Sequence, residues 1–225
     1  SSNGKSAHCL PLRQTIILIY CSILSWRYEE IMTGNEIFAV QSLMKDYKHE
    51  WAICGGWSID LYLNQQTRKH KDVDIFIWRD EQSYAQKYFS ERDWSLQVAY
   101  QGKLINWEKD YYLELPKHTI WCKHENHQPD FVELLLNERD KQKKQFLFRR
   151  DKSIQLPLED VILQSENEIL YIAPEITLLY KSNNPSHEGN QHDFDVCFSK
   201  LENHRQQWLM HNLRKLYGDE HIWLR

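Results

Sequence analysis

The sequence lacks an excess of either charge. Its 28 Lys and Arg against 32 Asp and Glu leave a net charge of −4, and no dense basic face is visible. A long nucleic acid is held through many phosphate contacts, so no such partner is expected. A long hydrophobic run is also missing. Thr15–Trp26 holds only about ten apolar residues where a membrane span needs roughly 18 or more. That stretch has no small-residue cleavage pattern either, so neither an export signal nor an anchor is expected, and no membrane partner. The five cysteines, Cys9, Cys21, Cys54, Cys122 and Cys197, are odd in number and scattered. They make no disulfide framework and point to free thiols in a reducing, cytoplasmic compartment. No internal repeat is present.

What remains is an ordinary globular balance, with 41% hydrophobic and 27% charged residues over 225 positions, enough to bury a sizeable core. Met32-Thr33-Gly34-Asn35 reads as a domain start, which leaves 1–31 as an N-terminal extension with no assigned function. Ile37, Phe38, Val40, Leu43, Met44 and Tyr47 form one face of a helix. Trp51–Cys54 reads as a short buried strand, Trp57–Leu63 as a helix stopped by Asn64, and Asp72–Trp78 as a strand. Asp80–Glu91 is expected to be helical. Ser95–Tyr100, His118–His124, Phe131–Leu136, Gln145–Arg149 and Ser153–Leu156 are expected to be strands. Beyond Pro157 the pattern turns helical over Glu175–Lys181, Asp193–Leu201 and His204–Leu216, with Ser182–Gln191 as a flexible connection. The expectation is an α+β fold, with mixed strands and flanking helices over 32–157 and a small helical domain over 158–225.

Three features carry chemistry. Asp72 and Asp74, two apart on a strand, project from one face while Val73 and Ile75 pack inward. Like charges so placed repel, unless a hard cation such as Mg2+ lies between them. Upstream, Gly55-Gly56 lets the chain turn sharply, and the helix opening at Trp57 and Ser58 directs its amides at an anion. Thr67, Arg68 and His70 lie on the intervening loop, within reach of phosphate oxygens. The third feature is Glu133, alone in the apolar run Phe131–Leu136. Burying an unpaired carboxylate there costs several kcal/mol, so it is either paired or faces the same site. Asp130, at the strand entrance, is easier to explain as a solvated turn residue and is held in reserve as the third carboxylate. Asp60 is expected to brace the loop, and His192-Asp193 to be a pair on a helix surface. Lys181 reads as a helix-end residue suited to the dipole, with a phosphate contact as the alternative.

GGWSIDLYLNQQTRKHKDVDI (Gly55–Ile75) resembles the signature of the lincosamide and aminoglycoside nucleotidyltransferases, within the DNA polymerase beta-like superfamily. Asn64 stands where that signature has Gly. The resemblance continues through Asp130–Glu138, Phe148–Asp151, Tyr171–Lys181 and His192–Phe194. Gly189-Asn190 depart from it, standing where a Lys-Asp pair is usual. The resemblance implies transfer of a nucleoside monophosphate from a Mg2+-bound nucleoside triphosphate, ATP in the first instance, to a hydroxyl of a small acceptor of the antibiotic type. Asp72, Asp74 and Glu133 would be both metal ligands and catalytic groups. Gly55, Gly56, Trp57, Ser58, Thr67, Arg68, His70 and Lys181 would line the nucleotide site. Two alternatives stay open, protein nucleotidylation as in toxin–antitoxin pairs and a non-catalytic nucleotide- or partner-binding module.

Overall fold

The computed structural model describes residues 35–225; the expected extension 1–31 lies outside the described residues. Helix α1 (Asn35–Met44) buries Ile37, Val40, Leu43 and Met44 of the face its periodicity predicts, while Phe38, expected on that face, is exposed. Next come β1 (Trp51–Cys54), α2 (Gly56–Leu63), β2 (Asp74–Trp78), α3 (Gln82–Ser90), β3 (Ser95–Tyr100) and β4 (Lys103–Asn106). Strands β5 (Thr119–Lys123), β6 (Phe131–Asp140), β7 (Gln145–Leu147), β8 (Gln155–Pro157), β9 (Ile162–Gln164) and β10 (Leu170–Ile172) follow. The chain ends with α4 (Pro174–Lys181), α5 (Glu188–Cys197) and α6 (Asn203–Tyr217). No described helix is long and apolar enough to cross a membrane.

The strands form one mixed sheet in the order β4-β3-β5-β6-β2-β1-β10-β9, with β7 on the far end of β6 and β8 beside it. β6 runs parallel to β2, and β1 runs antiparallel to it. Side-chain alternation then decides what each face holds. Val73, Ile75 and Ile77 are buried on one face of β2, where α3 packs. Phe76 and Trp78 are equally buried on the other, in a core shared with Ile176, Leu178, Leu179, Leu209 and Leu213 of the C-terminal helices. This single core spans both sides of Pro157. The two-sided cover stops at β6. On β3 and β5, Val98, Ile120 and Cys122 are buried on one face, while Gln97, Thr119 and Trp121 on the other are only partly so.

Three strands escape the sequence reading. β4 is wholly exposed, so burial leaves no alternation to read, and β9 and β10 are three residues each. Helix α5 also begins inside the stretch expected to be a flexible connection. Asn190 explains this, since its side-chain amide donates to the Lys181 and Asn184 carbonyls at 3.3 and 2.9 Å. These bonds fasten the chain between α4 and α5.

Candidate active site

The site starts at the corner between β1 and α2. Gly55 sits at φ 64°, ψ −146°, a conformation essentially reserved for glycine. Cys54 pairs with Asp74 across the β1–β2 ladder, which brings the Asp74 carboxylate over the corner. A Cβ on Gly55 would collide with Asp74 Oδ2. A Cβ on Gly56 would collide with Arg68 Nη2 and stand 2.6 Å from His70 Nδ1. The two glycines thus clear the space that a carboxylate, a guanidinium and an imidazole share.

Glu133 is the direct neighbour of Asp74 in the parallel β2–β6 ladder, so both side chains rise from the same face. Asp72 lies in the bend leading into β2 and is exposed, with Val73 between it and the strand accepting the Glu133 N–H at 3.3 Å. Burial, then the charges of Glu133 and Asp72, push the Asp74 carboxyl up to about 8. Burial and Asp72 push Glu133 up to about 7, against a hydrogen bond with Trp121. Such mutually raised carboxylates are a high-energy arrangement that a cation relieves. Among the described residues, no three carboxylate, imidazole or thiol groups close into a metal cage. The donor set suits Mg2+ all the same, because that ion takes one or two protein carboxylates and completes its shell with phosphate oxygens and water. Asp130 is exposed just before β6.

The loop from Asn64 to Val73 is strapped down by two buried acids. Asp60, fully buried on α2, accepts from Thr67 N at 3.0 Å and Thr67 Oγ1 at 2.6 Å. Its other oxygen lies 2.5 Å from His70 Nε2, and the His70 ring rests on Trp57 with 4.3 Å between centroids. Asp60 therefore has the bracing role expected of it. The second acid corrects the sequence reading. Asp193 is not on a helix surface; it is fully buried, gripping Arg68 through two bonds of 2.7 and 2.9 Å and Lys181 at 3.0 Å. Burial alone would raise its carboxyl, and the Arg68 hydrogen bonds with the Lys181 charge outweigh burial, holding it below the ordinary range. Replacing Asp193 by Asn would leave two cations crowded together, which we expect to cost about 2–4 kcal/mol. Chemical denaturation checks this, and an unchanged midpoint would show that the clamp carries no stability.

Two expected contacts are spent on the fold. Ser58 is fully buried, its hydroxyl donating to the Gly55 carbonyl at 2.8 Å and lying 2.8 Å from Thr177 Oγ1. Trp57 is buried beneath His70. Their side chains hold the corner in shape, leaving only backbone for a ligand.

Between the corner and α4 lies a cavity of about 240 Å³ whose lining includes Gly55, Asp74, Asn137, Arg149, Tyr180 and Lys181. Arg149 is the functional candidate that sequence reading passed over. Its guanidinium lies 4.2 Å from the Tyr180 ring centroid and forms no ion pair with a described carboxylate. Burial, foremost among the causes, lowers its pKa. A partly buried cation without a carboxylate, facing the same cavity as Lys181, is a seat for an anion.

Residues 36–130 match the family model described as aminoglycoside-2''-adenylyltransferase. No curated protein matches the chain by sequence. Solved structures match its shape. The solution structure of the antibiotic-resistance factor ANT(2'')-Ia is 12% identical with a TM-score of 0.53, covering 81% of this chain and 91% of that one. ANT(2'')-Ia in complex with adenylyl-2''-tobramycin is 13% identical at 0.52, covering 80% and 96%. The lincosamide antibiotic adenylyltransferase LnuA, lincomycin-bound, is 15% identical at 0.50, covering 74% and 99%. At such identities the structures speak for the fold, and the matched segment contains the Gly-Gly corner and the Asp pair. The chain has the nucleotidyltransferase fold and resembles the lincosamide and aminoglycoside nucleotidyltransferases of the DNA polymerase beta-like superfamily.

Proposed function

We propose that this protein transfers a nucleoside monophosphate from a Mg2+-bound nucleoside triphosphate, ATP in the first instance, to a hydroxyl of a small molecule. The observation that carries the reading is Asp74, seated in the space vacated by Gly55 and in register with Glu133. Asp72 and Asp74 would hold the metal, with Glu133 at its edge. The ion supplies charge neutralisation on the phosphate oxygens, the dominant need in phosphoryl-type transfer.

The remaining work falls to the chain. The backbone at Gly55 and Gly56, with Lys181 and Arg149, binds and orients the triphosphate. Asp193 keeps Lys181 and Arg68 from drifting, and Asp60 does the same for Thr67 and His70. Glu133, the ladder neighbour of Asp74, would accept the acceptor's proton. The acceptor oxygen then bonds to the α-phosphorus as the bond to the bridging oxygen breaks, and pyrophosphate leaves. Mg2+ and ATP together should raise the melting temperature of the wild type and not of Asp72→Asn. Pyrophosphate should form only when a hydroxylated acceptor is added. An equal shift in both proteins would remove the metal role of Asp72, and no shift with any triphosphate would remove the reading itself.

A further inference from the structure

One register row crosses the sheet on the carboxylate face: Cys54, Asp74, Glu133, Trp121, Gln97 and Asn106 pair in turn from β1 to β4. The next row runs Ala52, Phe76, Leu135, Thr119, Ala99 and Leu104. Glu133 stands in the middle. On its β2 side the face is roofed by the C-terminal helices, and there lies the cavity with Arg149 and Lys181. On its β5 side, Trp121, Thr119, Gln97 and Ala99 stand outside the core that those helices share. Here the surface sinks into a trough of about 410 Å³, bounded by residues 99–104, Thr119 and Trp121. That volume is in the range of small-molecule sites.

We infer that this trough seats the acceptor, and that the acceptor is a ring-bearing, hydroxylated molecule of low charge rather than a polycation. The inference rests on the nucleotidyl-transfer reading and adds to it the place and chemical class of the second substrate.

Placement follows from the row. Trp121 is the cross-strand neighbour of Glu133, so a group lying on the indole is about 5 Å from the strand that carries the proton acceptor. The ring is held edge-on by Phe131, with 5.5 Å between centroids. It is therefore a fixed platform, and the apolar face of a sugar or similar ring packs on such a surface. Gln97 Nε2 and Asn106 Oδ1, 3.4 Å apart, lie next along the row. They offer uncharged donors and acceptors to further hydroxyls about 5–10 Å away.

The charge class follows from what lines the trough. Lys103 is the only charged side chain among its lining residues, and the Lys123 ammonium lies 5.3 Å from the Trp121 ring centroid. Lys123 stands beside the indole and no carboxylate lines the trough, so a polyamine acceptor would meet like charge there and no counter-charge. Glu133, the cross-strand neighbour of Trp121, is committed to the proposed proton transfer. Like charge without compensation opposes binding, and an uncharged hydroxylated ring meets no such opposition.

The test uses the whole protein, with tobramycin as the polycationic probe and lincomycin as the sparsely charged one. Calorimetry without nucleotide should show lincomycin binding at least tenfold tighter than tobramycin. Trp121→Ala should weaken it about tenfold or more, Trp121→Phe by threefold or less, and Mg2+–ATP affinity should stay within twofold in both. With ATP present, Trp121→Ala should raise KM for lincomycin more than it lowers kcat. Tighter tobramycin binding, no lincomycin binding, or a Trp121→Ala effect confined to ATP would each overturn the inference. Trp121-dependent lincomycin binding without pyrophosphate release would uphold the trough and instead remove the transferase reading.

Discussion

Replacing Asp74 by Asn is expected to abolish nucleotidyl transfer while making the metal-free protein harder to unfold. The loss of activity, at least 10³-fold, follows from removing a metal ligand at the reacting phosphate. The gain in stability follows from linkage. The Asp74 carboxyl titrates at about 8 in the folded chain, raised by burial and by Glu133 and Asp72, against an ordinary value of 3.8. Between those two values the unfolded chain releases this proton and the folded chain keeps it, so the wild type loses stability as pH rises through that window. Asn never faces that cost. The advantage of the variant should therefore grow from pH 5 to pH 8 and then level off. Each pH unit across that window is worth about 1.4 kcal/mol, and solvent at the open mouth screens part of it, so about 2 kcal/mol is expected at pH 8. Thermal unfolding in a chelating buffer at the two pH values measures it. A variant less stable than wild type, or an advantage that shrinks with rising pH, would mean that burial and the neighbouring carboxylates do not raise the Asp74 carboxyl in the folded state. Saturating Mg2+ and ATP should reverse the order, since only the wild type gains from the ligand.

Gly55→Ala should be the most damaging change that alters no charge. Two independent penalties meet at this position. The backbone holds φ 64°, ψ −146°, which a residue with a side chain adopts only at a cost of about 1–3 kcal/mol. The added methyl would also overlap Asp74 Oδ2, so either the carboxylate or the corner must move. A shift of about 1 Å near the reacting centre costs on the order of 10² in rate. The expected result is a loss of about 3 kcal/mol or more in stability and at least a 10²-fold fall in pyrophosphate release. Gly218→Ala, away from both the site and the trough, is the control. It too has positive φ, at 71°, but no atom lies within 4 Å of its added methyl. It should lose only about 1 kcal/mol and keep its rate. Equal damage from both substitutions would reduce the role of Gly55 to backbone conformation alone.

The parts of this site that the sequence reveals are those whose signal is local. Gly55-Gly56 and the Asp-Val-Asp alternation lie within one strand–helix–strand unit. Glu133 shows because an acid in an apolar run breaks the pattern around it. Asp193 is hidden for the opposite reason. It sits in a polar segment, EGNQHDFDVC, where another acid changes nothing, and its partners Arg68 and Lys181 are 125 and 12 positions away in the chain. Arg149 is equally silent, since its significance is a cavity-facing guanidinium beside Tyr180 with no described carboxylate to pair it, which only the folded surroundings disclose. The burial of Phe76 and Trp78 was hidden as well. A strand covered on one face alternates, but β2 is covered on both, and its outermost cover comes from helices about a hundred residues downstream. The trough beyond Glu133 needs the strand register, and register is not written in any one strand.

The spacing of the Gly55–Ile75 string has a mechanical meaning. Asp60 anchors the chain at Thr67 and again at His70, and Asp193 pins Arg68 between those two points. Three rivets within four residues leave no slack. The loop behaves as a strap cut to length, with Gly56 at one end and Asp74 at the other. Composition at its exposed positions, such as Gln65 or Lys69, should be free to vary, while one inserted or deleted residue should slip a rivet and carry the phosphate side out of alignment with the carboxylates. What reads as a motif in one dimension is, in three, a tolerance on a distance.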